Sequence, residues 1–251
     1  MAYDPQARAF IPMPPFCANR EVIGCNWIAP KQGEFCRACA MTALAPDPSI
    51  SDAIPHWAHT EAAKRWVIDN LAAGTGFARK TRARRRCFIC WRKAVCRCPW
   101  GTVTISVAEA DAVLRTTRKE ALDEPYRTMI GHMRHEIAHM LWWRLSLRKD
   151  FLDAFREMFG NEREDYPAAL QRHYENGPPA DWQTRFLSTY ASSHPHEDWA
   201  ETTSHLLHLT DITDSFVSSG MTSPVLPDDH NWDAYAEPDS ERLIHIAASL
   251  V

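Results

Sequence analysis

No stretch of the 251-residue chain approaches the roughly 18 consecutive apolar residues that a membrane-spanning helix needs. The opening MAYDPQARAF is polar and carries no apolar run of the kind that marks a secretory leader. An excess of positive charge is missing too: the net charge is -4, so the chain as a whole is not built to attract nucleic acid. No internal repeat is visible. Together these absences lead to the expectation of a soluble, cytoplasmic protein. In a reducing compartment the eight cysteines read as metal ligands or buried thiols before disulfides.

What is present fits a globular fold. Apolar residues make up 45% and charged residues 24%, and the length suffices for one sizeable core plus a small satellite. Ten tryptophans suit a packed helical body. Charge is unevenly spread. Residues 79–98, RKTRARRRCFICWRKAVCRC, hold nine Lys and Arg and no acid, which leaves about -13 on the remainder.

Apolar periodicity predicts helices over 56–73 (through Trp57, Ala62, Trp66, Ile68 and Leu71), from Asp123 onward, and over 149–159, 162–175, 180–192 and 196–209. Asp123 is placed to cap the second of these, with Pro125 in its first turn. Its buried stripe would run through Tyr126, Met129, Ile130, Met133, Ile137, Met140 and Leu141. The alternation of Val103, Ile105 and Val107 with Thr and Ser predicts a strand with one buried face.

The strongest chemical signal is His135-Glu136-Ile137-Ala138-His139 on the long predicted helix. Four residues are about one turn, so both imidazoles leave the same face and can grip one ion. Glu136 is rotated away from them and is placed to take a proton from water beside the metal. Chance alone yields an H-E-x-x-H at this composition with a probability of about 0.03.

A catalytic zinc also needs a third protein ligand and an open position. The segment His196-Glu197-Asp198-Trp199-Ala200-Glu201 offers two carboxylates one turn apart. The favoured assignment puts Glu197 on the metal and Glu201 behind a ligand histidine. The swapped assignment stays open, with His194, His196 and His205 as further alternatives. A glutamate followed four residues on by an acidic or amide residue resembles the gluzincin arrangement. Tyr190, two turns before Glu197, matches the offset of a tyrosine in gluzincins resembling lethal factor; it is either an oxyanion donor or a buried structural residue. His132 shares the face of His135 and His139 and is expected beside the site.

Cys17, Cys25, Cys36 and Cys39 supply four thiols, enough for one closed tetrahedral zinc; buried free thiols are the alternative. Cys87, Cys90, Cys96 and Cys98 are a weaker second set within the basic run. That run, with Phe88, Trp91 and Trp100, is either a solvated basic loop or a contact for phosphates and bases.

The stretches CANREVIGCNW (17–27), FCRACAM (35–41), EAAKRW (61–66), VTISVAEAD (103–111), EPYRTMIGHMRHEIAH (124–139), FGNEREDYPAALQRHYENGPPADW (159–182) and HPHEDWAETTSHLLH (194–208) resemble the bacterial zinc-binding metallopeptidases that carry an N-terminal zinc ribbon. The resemblance covers most of residues 17–210 and implies a zincin-like catalytic region with peptidase activity. It differs in lacking a further C-x-x-C before residue 17 and in the segment 79–100.

The expected architecture is therefore α+β and helix-rich. A zinc-ribbon-like module occupies 1–55, a zincin-like catalytic domain 56–215, and a tail, truncated relative to the family, 216–251. The strand at 102–107 would present an edge to an extended peptide. The expected activity is zinc-dependent peptide hydrolysis of a peptide or protein substrate, with one catalytic and one structural zinc. The rival readings are a non-catalytic zinc protein and a protein contacting nucleic acid through 79–100.

Overall fold

A computed structural model describes residues 2–4, 8–75, 88–91, 102–105, 107–111, 128–228 and 232–250. Cys87, Cys96 and Cys98 lie outside the described residues, as do the side chain of Cys90 and the segment Asp123–Arg127. None of the described helices is long and apolar enough to cross a membrane.

β1 (Ala2–Asp4) and β2 (Ala9–Ile11) pair antiparallel. The chain then wraps around four cysteines. Phe16 and Ile28 form a bridge, reinforced by Cys17 N donating to Trp27 O (3.0 Å) and Ala29 N to Pro15 O (2.8 Å). The short helix α1 (Arg20–Ile23) inside this loop ends on Gly24 at φ +64°, a left-handed turn that a residue with a Cβ adopts only at a cost.

β3 (Thr42–Leu44), β4 (Phe88–Trp91) and β5 (Thr102–Ile105) form a parallel sheet in that order. Parallel neighbours need a crossover, and α2 (Ala53–Thr75) lies in the one between β3 and β4. β5 is an edge strand among the described residues and turns Val103 and Ile105 fully inward.

The body is helical. α3 (Met129–Leu145) packs on α2 and on α6 (Pro195–Ser218). Among the described residues, α4 (Lys149–Phe159), α5 (Tyr166–Asn176) and α7 (Ser240–Leu250) complete it, α4 and α7 against α6. One apolar cluster runs through Cys25 and Cys36, Val67 and Leu71 of α2, Val103 and Ile105 of β5, and Met133, Ile137 and Met140 of α3. The cysteine module and the helical body thus share a core.

The differences from the sequence expectations have local causes. α3 starts at Met129, because Thr128 is extended and its side chain accepts from Gly131 N at 2.9 Å, a sequence-local cap. α5 starts at Tyr166, capped by Asp165 with Pro167 in the first turn. The helix expected over 180–192 is absent; only short 3₁₀ turns occur at Trp182–Thr184 and Ala191–Ser193. Hydroxyls there bond to nearby backbone, Ser192 Oγ to Thr189 O (2.6 Å) and Ala191 N to Ser188 Oγ (3.0 Å), and compete with helical bonding.

α2 is rotated from the expected face. Trp57, Ala63, Val67, Ile68 and Leu71 are buried, whereas Ala62 is exposed and Trp66 is 49% exposed. Its inner face includes Thr60, Glu61 and Lys64, all at 0% exposure, so apolarity alone misplaces it. Trp66 instead donates Nε1–H to Asp211 Oδ2 (2.8 Å) on α6. Arg134 of α3 donates to the same oxygen (2.8 Å), and Asn70 Nδ2 donates to Oδ1 (3.0 Å). This polar knot joins α2, α3 and α6 behind the site.

Candidate metal centre

Among the described residues, two groups of side chains could each hold a metal ion. The first is Cys17, Cys25, Cys36 and Cys39, all buried and unbridged, with sulfurs within 4.8 Å of one another. Cys25 Sγ lies 3.7 Å from both Cys36 Sγ and Cys39 Sγ. Zn–S bonds of about 2.3 Å in a tetrahedron set sulfurs about 3.8 Å apart, so the spacing suits zinc. Backbone N–H groups point at the sulfurs, Cys36 N to Cys17 Sγ (3.2 Å) and Cys39 N to Cys36 Sγ (3.4 Å). The side-chain hydrogen bond with the Cys39 thiol is the main cause that pulls Cys36 down to about 5, which favours a thiolate there. Burial pushes Cys25 up to about 11. Four ionised sulfurs this close repel one another unless a cation sits among them.

The second group is His135, His139 and Glu197. α3 carries both imidazoles one turn apart, and the N-terminus of α6 delivers the carboxylate. His135 Nε2 lies 3.0 Å from Glu197 Oε2 and 3.1 Å from His139 Nε2; the third side of the triangle, His139 Nε2 to Glu197 Oε2, is 3.5 Å. Zinc bonds of about 2.0–2.1 Å to N and O place tetrahedral ligands about 3.3–3.4 Å apart. The triangle therefore has the size of three zinc ligands with one corner left over.

Glu201 takes a different place. Its Oε1 meets His135 Nδ1 at 2.8 Å, and its Oε2 accepts from Ser188 Oγ at 3.1 Å. A proton on Nδ1 directed at Glu201 leaves the Nε2 lone pair for a metal, the usual carboxylate–histidine support. With Nε2 so freed, three lone-pair atoms converge and none brings a proton to the others. That donor set fits a cation.

The electrostatics agree. Burial opposes a charged His135, yet its bonds with Glu197 and Glu201 outweigh burial and raise its pKa well above 6.5. Burial likewise opposes an ionised Glu197, and the two histidines overcome it and hold that carboxyl well below the usual range. The pocket prefers its carboxylates ionised and wants positive charge between them.

Glu136, next to His135 on α3, is buried, with His132 Nε2 3.9 Å from its Oε1. The ring of Tyr190 lies 6.2 Å from that of His135, centroid to centroid. The other histidines are used elsewhere. His194 caps α6, its Nδ1 accepting from His196 N at 3.0 Å. His196 packs on Trp142 with ring centroids 4.2 Å apart, where burial lowers it to about 4. His205 Nδ1–H donates to Glu201 O (2.8 Å). Trp199 Nε1–H donates to Ala138 O (2.9 Å) and fixes the α3–α6 spacing that brings Glu197 to the histidines.

Two residues of the site escape the sequence reading. Ser188 supports Glu201, and Tyr166 donates its hydroxyl to Glu197 Oε1 at 2.5 Å. Tyr166 lies 31 positions before Glu197 on a different helix, so no periodic spacing connects them. The Asp165–Pro167 helix start was the local clue to its rigid placement.

No solved structure matches the chain. Uncharacterized proteins of Mycobacterium bovis and of two Mycobacterium tuberculosis strains are similar to it, each 36% identical over 222 residues, which is 82% of this chain and 63% of theirs. The chain thus spans less than two thirds of the length of the curated relatives it matches. Residues 53–251, which hold the His135–His139–Glu197 triangle and its supports, match the family described as "Putative zinc-binding metallo-peptidase", and the chain belongs to that family.

Proposed function

We propose that the chain is a zinc-dependent hydrolase that cleaves peptide bonds, with a zincin-like catalytic region of the gluzincin type. The observation that carries this reading is the convergence of His135, His139 and Glu197 with Glu136 at their side and Glu201 behind His135. A zinc ion held there would supply Lewis acidity to a water and to a substrate carbonyl. His135 and His139 hold the ion from α3, and Glu197 closes the third position from α6. Glu201 keeps His135 in the tautomer that binds metal. Glu136 removes the proton from the attacking water and delivers it to the leaving amine. Tyr190, with its ring 6.2 Å from that of His135, is the proposed donor to the oxyanion.

β5 gives the substrate a path. Its edge is unpaired among the described residues and it packs on α3. An extended peptide added to that edge gains backbone hydrogen bonds while its carbonyl lies over the metal helix. The four cysteines hold a second, structural zinc. An intact Glu136 favours catalysis over a purely structural metal at the histidines.

Glu136→Gln tests the reading. The variant should keep zinc at wild-type stoichiometry and lose cleavage of a peptide library by at least about 100-fold. A variant as active as wild type refutes the assigned base.

A further inference from the structure

Glu197 has two oxygens, and the structure uses them differently. Oε2 faces the Nε2 atoms of His135 and His139, while Oε1 accepts the hydroxyl of Tyr166 at 2.5 Å. Glu197 is 1% exposed, so no solvent competes for Oε1. Tyr166 is itself held in place. It begins α5 behind the Asp165 cap, and its ring stands edge-on to that of His194 at 5.0 Å. His194 in turn caps α6 and bonds Glu164 O at 3.3 Å. The tyrosine and the glutamate are thus tied to the same corner, where the segment leading into α5 meets the start of α6.

We infer that Tyr166 is a positioning residue that restricts Glu197 to one-oxygen coordination and so keeps a position open for water and substrate. A carboxylate left free at both oxygens can bind a metal through both. Here the second oxygen is occupied by a phenol that donates its hydroxyl to it at 2.5 Å. Tyr166 acts only through Glu197, and it assists hydrolysis by shaping the metal's surroundings. This rests on the metal centre proposed above and assigns the control of its coordination.

The test uses cobalt at the histidine site with zinc left in the cysteine cluster. Four-coordinate cobalt absorbs visible light more strongly than five-coordinate cobalt. Tyr166→Phe should weaken those bands and lower cobalt affinity about 10- to 100-fold, the range for losing a supporting hydrogen bond. Tyr190→Phe should change both by less, because the hydroxyl on Glu197 Oε1 comes from Tyr166. Wild-type affinity and spectrum in Tyr166→Phe overturn the inference. A crystal structure of the wild-type zinc form adds a test that needs no variant: Glu197 bound through both oxygens overturns it, and one bound oxygen with Tyr166 on the other supports it. Failure of wild type to bind cobalt at the histidines removes the metal centre itself, and this inference with it.

Discussion

Lys64→Met removes the cation from an ion pair closed off from water on both sides. Lys64 Nζ lies 2.6 Å from Glu61 Oε1 and 2.6 Å from Thr42 Oγ1, and the Lys64 and Glu61 side chains are both at 0% exposure. Methionine keeps much of the apolar volume of the lysine stem, so the change is chiefly electrostatic. Glu61 would retain the Thr42 hydroxyl at 2.6 Å. Removing one partner of a buried pair costs about 3–5 kcal/mol, a large share of the ~5–15 kcal/mol that holds a domain together. Replacing both charges, as in Glu61→Met with Lys64→Met, should cost clearly less than Lys64→Met alone, because no bare charge is left. Urea unfolding followed by tryptophan fluorescence on the zinc-loaded protein reads the cycle. A loss below about 1 kcal/mol in Lys64→Met, or a double variant weaker than the single, refutes the argument.

Three further outcomes follow from the same geometry. Glu201→Gln should lower zinc affinity at the histidine site about 10- to 100-fold in chelator competition and leave the cysteine site unchanged; an unaltered affinity would remove Glu201 from its supporting role. Cys36→Ser should cost one zinc and lower the unfolding temperature of the whole chain, since the cysteines share a core with α2 and α3; a two-step melt with an unchanged upper transition would contradict that. The hydrogen-bonded Arg156 guanidinium is the main cause holding Glu162 down to about 2 from 4.5, so Glu162 contributes stability that is present above pH 4.5 and lost as pH falls through about 2. Glu162→Gln should therefore melt lower than wild type at pH 7, and the gap should narrow steadily below pH 4.5; a gap independent of pH would rule out the ionised pair as its source.

Much of the site was legible because helical geometry is local. A four-residue spacing sets His135 and His139 on one face, and the same spacing gives Glu197 and Glu201 separate places around His135. The sequence favoured Glu197 over Glu201 on the metal but left the swap open. The choice depends on the depth at which α6 meets α3, which Trp199 fixes through Ala138 O. Tyr166 and Ser188 were missed because they come from segments joined to the site only in three dimensions. The inner face of α2 was misread because its centre is a buried ion pair. α7 was passed over, although Leu243, Ile246 and Ala247 carry a helical spacing and Asp239 Oδ1 accepts from Glu241 N (3.0 Å) and Arg242 N (3.1 Å). The polar, proline-broken approach to that helix masked its start.

Metal content measured on wild type, His135→Ala and Cys36→Ser tests the central claim most directly. The account predicts two zinc ions per wild-type chain, with a different one lost in each variant. Full zinc content in His135→Ala would mean that His135, His139 and Glu197 do not share an ion, and the proposed chemistry would have no centre.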